Sequence, residues 1–401
     1  MPLDPVAARR GRLSICALFL LNGAILGSWA PQIPLLLSRH AISESTLGLL
    51  IFIMGIGSMA AMCLSGRLTA RHGSRALVRA TALLCALTLP LAVLAPDIVT
   101  LALAMAAMGA CIAMMDVATN ANACELEFAT GRAQLSTSHG CWSVGGFLGG
   151  ALGGPGIAAL GSSGHALATA ALALAVIALA WSSLAAVPVT PAAPAAPDTS
   201  EAQTPAAPAR LGLTIYLMGL MALLAFVPES AILDWSALYL SADHGADVAQ
   251  SGLAFALFSA CMALMRFCGD AVRNRVGAVP LLRASSLVAA TGLTLAALAP
   301  TAPLAIAGFA LTGLGLANVV PILFSAAGRH GGANPGGAIA TVSFMGYGGM
   351  LVAPTVIGAS VEPAGFPAIL GGLAALLLAV GALAPVLSPA PRGTRQPLPA
   401  E

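Results

Sequence analysis

Apolar runs long enough to cross a bilayer fill most of this 401-residue chain. Only 8% of its residues are charged and 58% are hydrophobic, whereas a soluble domain carries about 25% charge. The mean hydropathy is +0.92. Too few polar groups remain to cover a water-facing surface, so lipid must be the solvent for most of the chain. A spanning helix needs about 20 apolar residues. Twelve segments meet that length: roughly 13–37, 46–65, 77–95, 98–124, 136–160, 165–187, 211–240, 250–270, 279–299, 302–327, 337–360 and 364–387. Helices are the only open-ended structure that satisfies its own backbone in lipid. The expected fold is therefore an all-α integral membrane protein with 12 transmembrane helices. The first run follows Arg9-Arg10, as a signal peptide would. It is much longer than an h-region of about 7–15 residues, so it reads as the first span.

The charges orient the chain. There is no lysine, and the 17 basic residues are all arginine. Arg9, Arg10 and Arg12 precede the first run, and Arg67, Arg71, Arg75 and Arg79 follow the second. Arg132, Arg210, Arg273, Arg275, Arg283, Arg329, Arg392 and Arg395 fall on the same side if the runs alternate in direction. Arg39 lies opposite, and Arg266 sits inside a span. Positive loops stay cytoplasmic, so both termini are expected inside, in a bacterial cytoplasmic membrane. No basic stripe with interleaved aromatics supports nucleic-acid binding. The 8 cysteines lie in or beside apolar runs without CxxC or zinc-ligand spacing. They read as small buried hydrophobes, and no metal or cofactor is expected.

Two loops repeat. Gly66-Arg67-Leu68-Thr69-Ala70-Arg71-His72-Gly73-Ser74-Arg75 has a counterpart in Gly269-Asp270-Ala271-Val272-Arg273-Asn274-Arg275-Val276-Gly277, 203 positions on. Gly145-Gly146 and Gly348-Gly349 share that offset. Ala24–Trp29 echoes Ala231–Trp235. The chain divides into a six-helix half over 1–187 and another over 211–388, with a tail over 389–401. Residues 188–210 are rich in Pro and Ala, a composition that builds no core and reads as a cytoplasmic linker. Two parallel six-helix repeats are a transporter plan.

On these features the chain resembles the major facilitator superfamily over essentially its whole length. That family's loop between helices two and three reads roughly Gly-x-x-x-Asp-Arg-x-Gly-x-Arg, and Gly66, Arg71, Gly73 and Arg75 match it. Ala70 stands where the family has an acid that helps latch the halves. Gly269, Asp270 and Arg273 form the second copy, with its acid directly after the glycine. The stretches Asp116–Glu127, Ser138–Ser143 and Glu229–Tyr239 are similar to a bacterial branch of fucose permease-type sugar permeases. Gly150, Gly154 and Pro155 partly match the family's antiporter motif in helix five, without its closing glycine pair.

The resemblance implies a central cavity lined by helices one, four, seven and ten. The strongly polar intramembrane residues fall largely there: Asn22 and Gln32, Asp116 and Asn120, Glu229 and Asp234, and Asn318. Intramembrane charges are functional candidates by default. Asp116, Asn120 and Glu127 share one helical face. Asp116 either faces the cavity and exchanges a proton each cycle, or is satisfied by a neighbouring helix or loop. His139 either pairs with Asp116 as a relay or makes an ordinary interfacial hydrogen bond. Glu229 and Asp234 lie five residues apart, about 140° around a regular helix. Both can face one cavity only if Pro228 breaks that helix, and one or both either couple, gate or pair with a neighbour. Trp29 shares a face with Asn22, and an aromatic ring beside amides suits a sugar or similar polar solute. Trp142, Phe344 and Tyr347 either add walls or pack the core.

The expected function is secondary active transport of a small organic solute by a monomer, coupled to protons because buried carboxylates abound. The fucose permease likeness points to uptake and the partial antiporter motif to export. A membrane sensor on the same scaffold is the rival from another class. An enzyme is not expected, since no catalytic constellation is visible.

Overall fold

The computed structural model describes residues 5–130, 135–182, 184, 212–331 and 335–388. The expected linker over 188–210 and tail over 389–401 lie outside these residues, as do Arg132 and Arg210. Among the described residues the chain forms thirteen α-helices. They are α1 (Pro5–Trp29), α2 (Ile33–His40), α3 (Glu44–His72), α4 (Ser74–Val93), α5 (Ile98–Thr130) and α6 (Leu135–Ala180), then α7 (Leu213–His244), α8 (Val248–Ser251), α9 (Leu253–Val276), α10 (Ala278–Ala297), α11 (Ala302–Leu316), α12 (Val319–His330) and α13 (Pro335–Leu383). They make ten stretches long and apolar enough to cross a membrane.

Twelve separate segments were expected, and the difference lies in α6 and α13. Each joins two expected spans into one helical run with a single residue out of register. Gly161 has φ 72° and ψ 166°, and Gly365 has φ 77° and ψ 158°. Only glycine takes such values without strain. The chain turns at Gly161: the His165 ring lies beside Gly153 and Gly156, a contact a straight helix forbids.

Two further corrections concern proline. Pro228 does not break α7, which runs on from Leu213 to His244. Neighbouring helices and side chains can satisfy the backbone groups that a membrane proline frees. The first expected span instead breaks beyond Trp29, in a short 3-10 turn over Ala30–Gln32 that contains Pro31. The tenth breaks at Ala317–Asn318, where Pro321 has no N–H to donate back to the Ala317 carbonyl.

The duplication extends to these breaks. Gly73 (φ 80°) separates α3 from α4, and Gly277 (φ 85°) separates α9 from α10. Leu94 ends α4 by sending its N–H to the carbonyls of Pro90 and Ala92, and Leu298 ends α10 on those of Thr294 and Ala296. Helix pairing repeats too. In the first half α1 packs on α6, α3 on α5 and α4 on both α5 and α6; in the second, α7 packs on α13, α9 on α11 and α10 on both α11 and α13.

The halves meet along two seams, α6 against α9 and α3 against α13. Two of their close approaches run backbone on backbone. A Cβ on Gly48 would sit 2.4 Å from the Pro354 carbonyl, and one on Gly154 would sit 2.3 Å from that of Val248. Both lie at the end of the bundle away from the arginine loops. Small residues permit such contacts between membrane helices.

Candidate substrate and coupling site

Glu229 on α7 and Arg266 on α9 form an ion pair, with Oε1 3.5 Å from a guanidinium nitrogen. The same guanidinium donates to Ser143 Oγ on α6 at 3.1 Å. The contact crosses the α6–α9 seam, joining the first half to the second. The Ser143 carbonyl in turn accepts from Ser259 Oγ on α9 at 2.9 Å. An intramembrane arginine costs about 2.5–3.5 kcal/mol on insertion scales, so this placement calls for a partner, and Glu229 supplies it.

Arg266 is visible in the sequence as a basic residue inside a span, though it is not among the candidate site residues read there. Its charge is the signal that identifies it. Trp142 and His139 lie on the same helix as Ser143. The Trp142 indole donates to Asn22 Oδ1 at 3.0 Å, and Asn22 Nδ2 donates to the Ile112 carbonyl at 3.1 Å. Asn22 thus spends its amide fixing Trp142 and α5. The His139 ring packs on Phe19, centroids 5.1 Å apart. Arg266 is its charged neighbour. Among the described residues no hydrogen bond joins His139 to Asp116, so of the two readings of His139 the relay pair is not formed in this conformation.

Asp116 sits half-buried on α5 with Asn120, one turn on, as its polar neighbour. Tyr347 on α13 lies within electrostatic reach of both Asp116 and Glu229. Its ring stacks on Phe226 at 5.2 Å, and Phe226 lies 6.5 Å from Phe324 on α12. Carboxylates and an aromatic wall therefore converge between the halves.

Phe344 shows which end of that space is open. It lies on the α13 stripe that carries Leu351, Thr355 and Gly358. Those three meet Gly55, Gly48 and Glu44 on α3. Two turns before Leu351 the helices have parted, and Phe344 is 70% exposed. The α3–α13 contact is therefore closed at the Gly48 end and parted at Phe344, while α6 and α9 stay in contact at Gly140 and Phe267.

The remaining candidates lie elsewhere. Trp29 is fully buried in the core. Gln32 is also fully buried, bonded to Ser162 and His165. Asp234 is 3% exposed with one oxygen unpartnered, on the same unbroken helix as Glu229. Asn318 is buried at the α11–α12 break with its amide nitrogen unpartnered. In the first arginine loop, Gly66 has open space around it and Arg71 is exposed. Arg75 reaches the Ser182 carbonyl at 3.4 Å. Arg79 bonds the Trp181 carbonyl and lies 4.7 Å over its ring. Gly73 leads into Ser74, whose hydroxyl donates to Glu125 at 2.6 Å. In the second loop Arg273 donates to Ser325 at 2.8 Å. The side chains at Gly269 and Asp270 lie outside the described residues, so the expected Asp270 latch does too.

Comparison with known proteins agrees with this architecture. The family model described as Major Facilitator Superfamily matches residues 15–242 and again 218–401. An uncharacterized MFS-type transporter of Yersinia pestis is 35% identical over 366 residues, covering 91% of this chain and 93% of that protein. The crystal structure of a mutant of the nucleoside transporter NupG superposes with a TM-score of 0.74 at 12% identity, covering 94% of this chain and 99% of the other. The D-xylose-proton symporter superposes at 0.70 with 14% identity, over 93% and 96%. The relatives and the fold point to a membrane transporter rather than an enzyme, and the chain belongs to the Major Facilitator Superfamily.

Proposed function

We infer that this protein is a proton-coupled secondary transporter of a small polar organic solute, taken up by alternating access. The observation that carries the reading is the charged and aromatic set between the halves: Glu229 paired with Arg266, with Asp116 and Tyr347 beside them. On this reading the turns at Gly161 and Gly365 divide α6 and α13 into two crossings each, for twelve in all, six in each half. The arginine-rich loops support a cytoplasmic open end and cytoplasmic termini in a bacterial cell. The protein acts as a monomer, since each half supplies walls of the same site. Solute binds among Trp142, Asn120, Phe226 and Tyr347. Asp116 carries the driving proton, because it faces the space without a basic partner among the described residues. Glu229 and Asp234 are the next candidates. The halves then rock about the α6–α9 and α3–α13 seams, closing one end as the other opens.

The likeness to sugar permeases and the structural match to the D-xylose-proton symporter support uptake. Purified protein in proteoliposomes, loaded against an imposed pH gradient, tests the reading with a panel of labelled sugars, sugar acids and nucleosides. Asp116→Asn is expected to abolish gradient-driven accumulation while keeping solute exchange across the membrane. Unchanged accumulation would remove Asp116 from the coupling role. Saturable binding without flux in the unaltered protein would instead favour a sensor.

A further inference from the structure

A guanidinium offers five N–H donors in a planar fork that matches the two oxygens of one carboxylate. Arg266 does not receive such a partner from its own chain. Glu229 meets it through one oxygen at 3.5 Å, longer than a hydrogen bond, and a second nitrogen is held by Ser143 at 3.1 Å. Both side chains keep contact with the open space, at 26% and 18% exposure. Arg266 is therefore anchored by a neutral hydroxyl, loosely neutralised by one acid, and part-exposed.

We propose that the transported solute carries a carboxylate and binds by replacing Glu229 on the Arg266 guanidinium. The inference rests on the transport reading above and names the class of solute. The incoming carboxylate accepts two N–H bonds where Glu229 accepts one long contact. Glu229 loses its counter-charge and takes a proton that Asp116 relays to it from the water in the open space. The site holds one positive and one negative charge before and after, so the anion crosses without leaving an unpaired charge in the low-dielectric interior. On release the proton leaves Glu229, and the internal pair forms again. The other groups facing this exchange are His139 on α6, Tyr347 on α13 and Asp116 on α5. The stacked Phe226 and Tyr347 rings and the Trp142 indole supply walls for the organic part of the solute.

The test uses purified full-length protein and a panel of sugar acids, hydroxy acids, amino acids and aromatic acids, each beside its uncharged amide. Melting temperature reports binding, and a pH-indicator dye in weak buffer reports protons taken up. At least one acid is expected to stabilise the protein with proton uptake, and its amide is expected not to. Arg266→Gln should abolish the response. Arg266→Lys should weaken binding about tenfold, because a lysine cannot form the fork. Glu229→Gln removes the internal competitor, so it should bind the acid more tightly and take up no proton. Stabilisation by amides as strong as by acids, or an acid response that survives Arg266→Gln, overturns the proposal. So does a panel in which no acid binds. In those cases flux of neutral solutes in proteoliposomes still decides the transport reading separately.

Discussion

Gln32 Nε2 lies 3.0 Å from His165 Nδ1, joining the turn after α1 to the far arm of α6. The same amide donates to the Ser162 carbonyl at 3.2 Å and accepts from Ser162 Oγ at 2.5 Å. Its two N–H groups are then both used, so His165 accepts at Nδ1 and carries its ring proton on Nε2, facing Thr169 at 3.5 Å. Gln32→Ala leaves the buried Nδ1 of His165 without its partner, at about 1–3 kcal/mol, and costs less at the half-buried Ser162. The expected result is a melting temperature several degrees lower with solute affinity unchanged. Normal melting with lost binding would return Gln32 to the solute site.

Gly145 and Gly348 occupy corresponding positions in the two halves but differ in surroundings. A Cβ at Gly145 would sit 1.9 Å from the Leu20 carbonyl, whereas one at Gly348 meets nothing within 4 Å. Gly145→Ala must push α1 and α6 apart, an overpacking cost of about 1–3 kcal/mol. Gly348→Ala is expected to be neutral. Melting curves of the two variants in one detergent compare them directly, and equal stability would show that α1 and α6 yield freely.

The open and closed ends can be read by labelling. In a background with the 8 native cysteines replaced, Phe344→Cys should react with a membrane-impermeant maleimide applied to the arginine-loop side. Thr355→Cys, lying against Gly48 at the sealed end, should react far more slowly. A solute that drives the opposite state should reverse the order. Equal labelling at both positions would argue against a sealed end.

Asp97 opens α5, and its Oδ1 accepts from the N–H groups of Val99 and Thr100 at 3.0 and 2.9 Å. These bonds favour the ionised form, and the Thr100 amide foremost holds the carboxyl below its usual range. The stabilisation is therefore present at neutral pH, above the unfolded-state value. It is lost as pH falls through the lower folded-state value. Asp97→Ala should lower the melting temperature at pH 7 and make no difference in strong acid. A deficit that persists in acid would assign the cap another role.

Much of the architecture was legible because lipid leaves a chain few options. The apolar runs gave the spans, and the Gly66 and Gly269 loops gave the duplication. The helix junctions were less legible, because a glycine with positive φ at 161 or 365 looks in sequence like any other glycine of an apolar run. Pro228 misled in the opposite direction: proline signals a break, yet packing keeps α7 continuous. At the site, Asp116, Glu229 and Tyr347 stand out by charge or aromaticity, and Tyr347 lies within electrostatic reach of both acids. Gln32 and Trp29 were picked out by the same chemistry but lie in the core, since polarity does not reveal which side of a helix faces which neighbour. Arg266 was passed over because its acid partner lies on another helix, a pairing that no spacing along the chain encodes.

The seams built from bare backbone at Gly48 and Gly154 have a consequence for how such a protein adapts. Contact at those two points is glycine against carbonyl, with the Thr355 hydroxyl beside Gly48, so few side chains there must move as the two halves separate and rejoin. By the same token, one added methyl group strains the sealed arrangement and leaves the opposite one untouched. The resting balance between the two faces of the membrane can thus be retuned a single methyl at a time, far from the groups that meet the cargo.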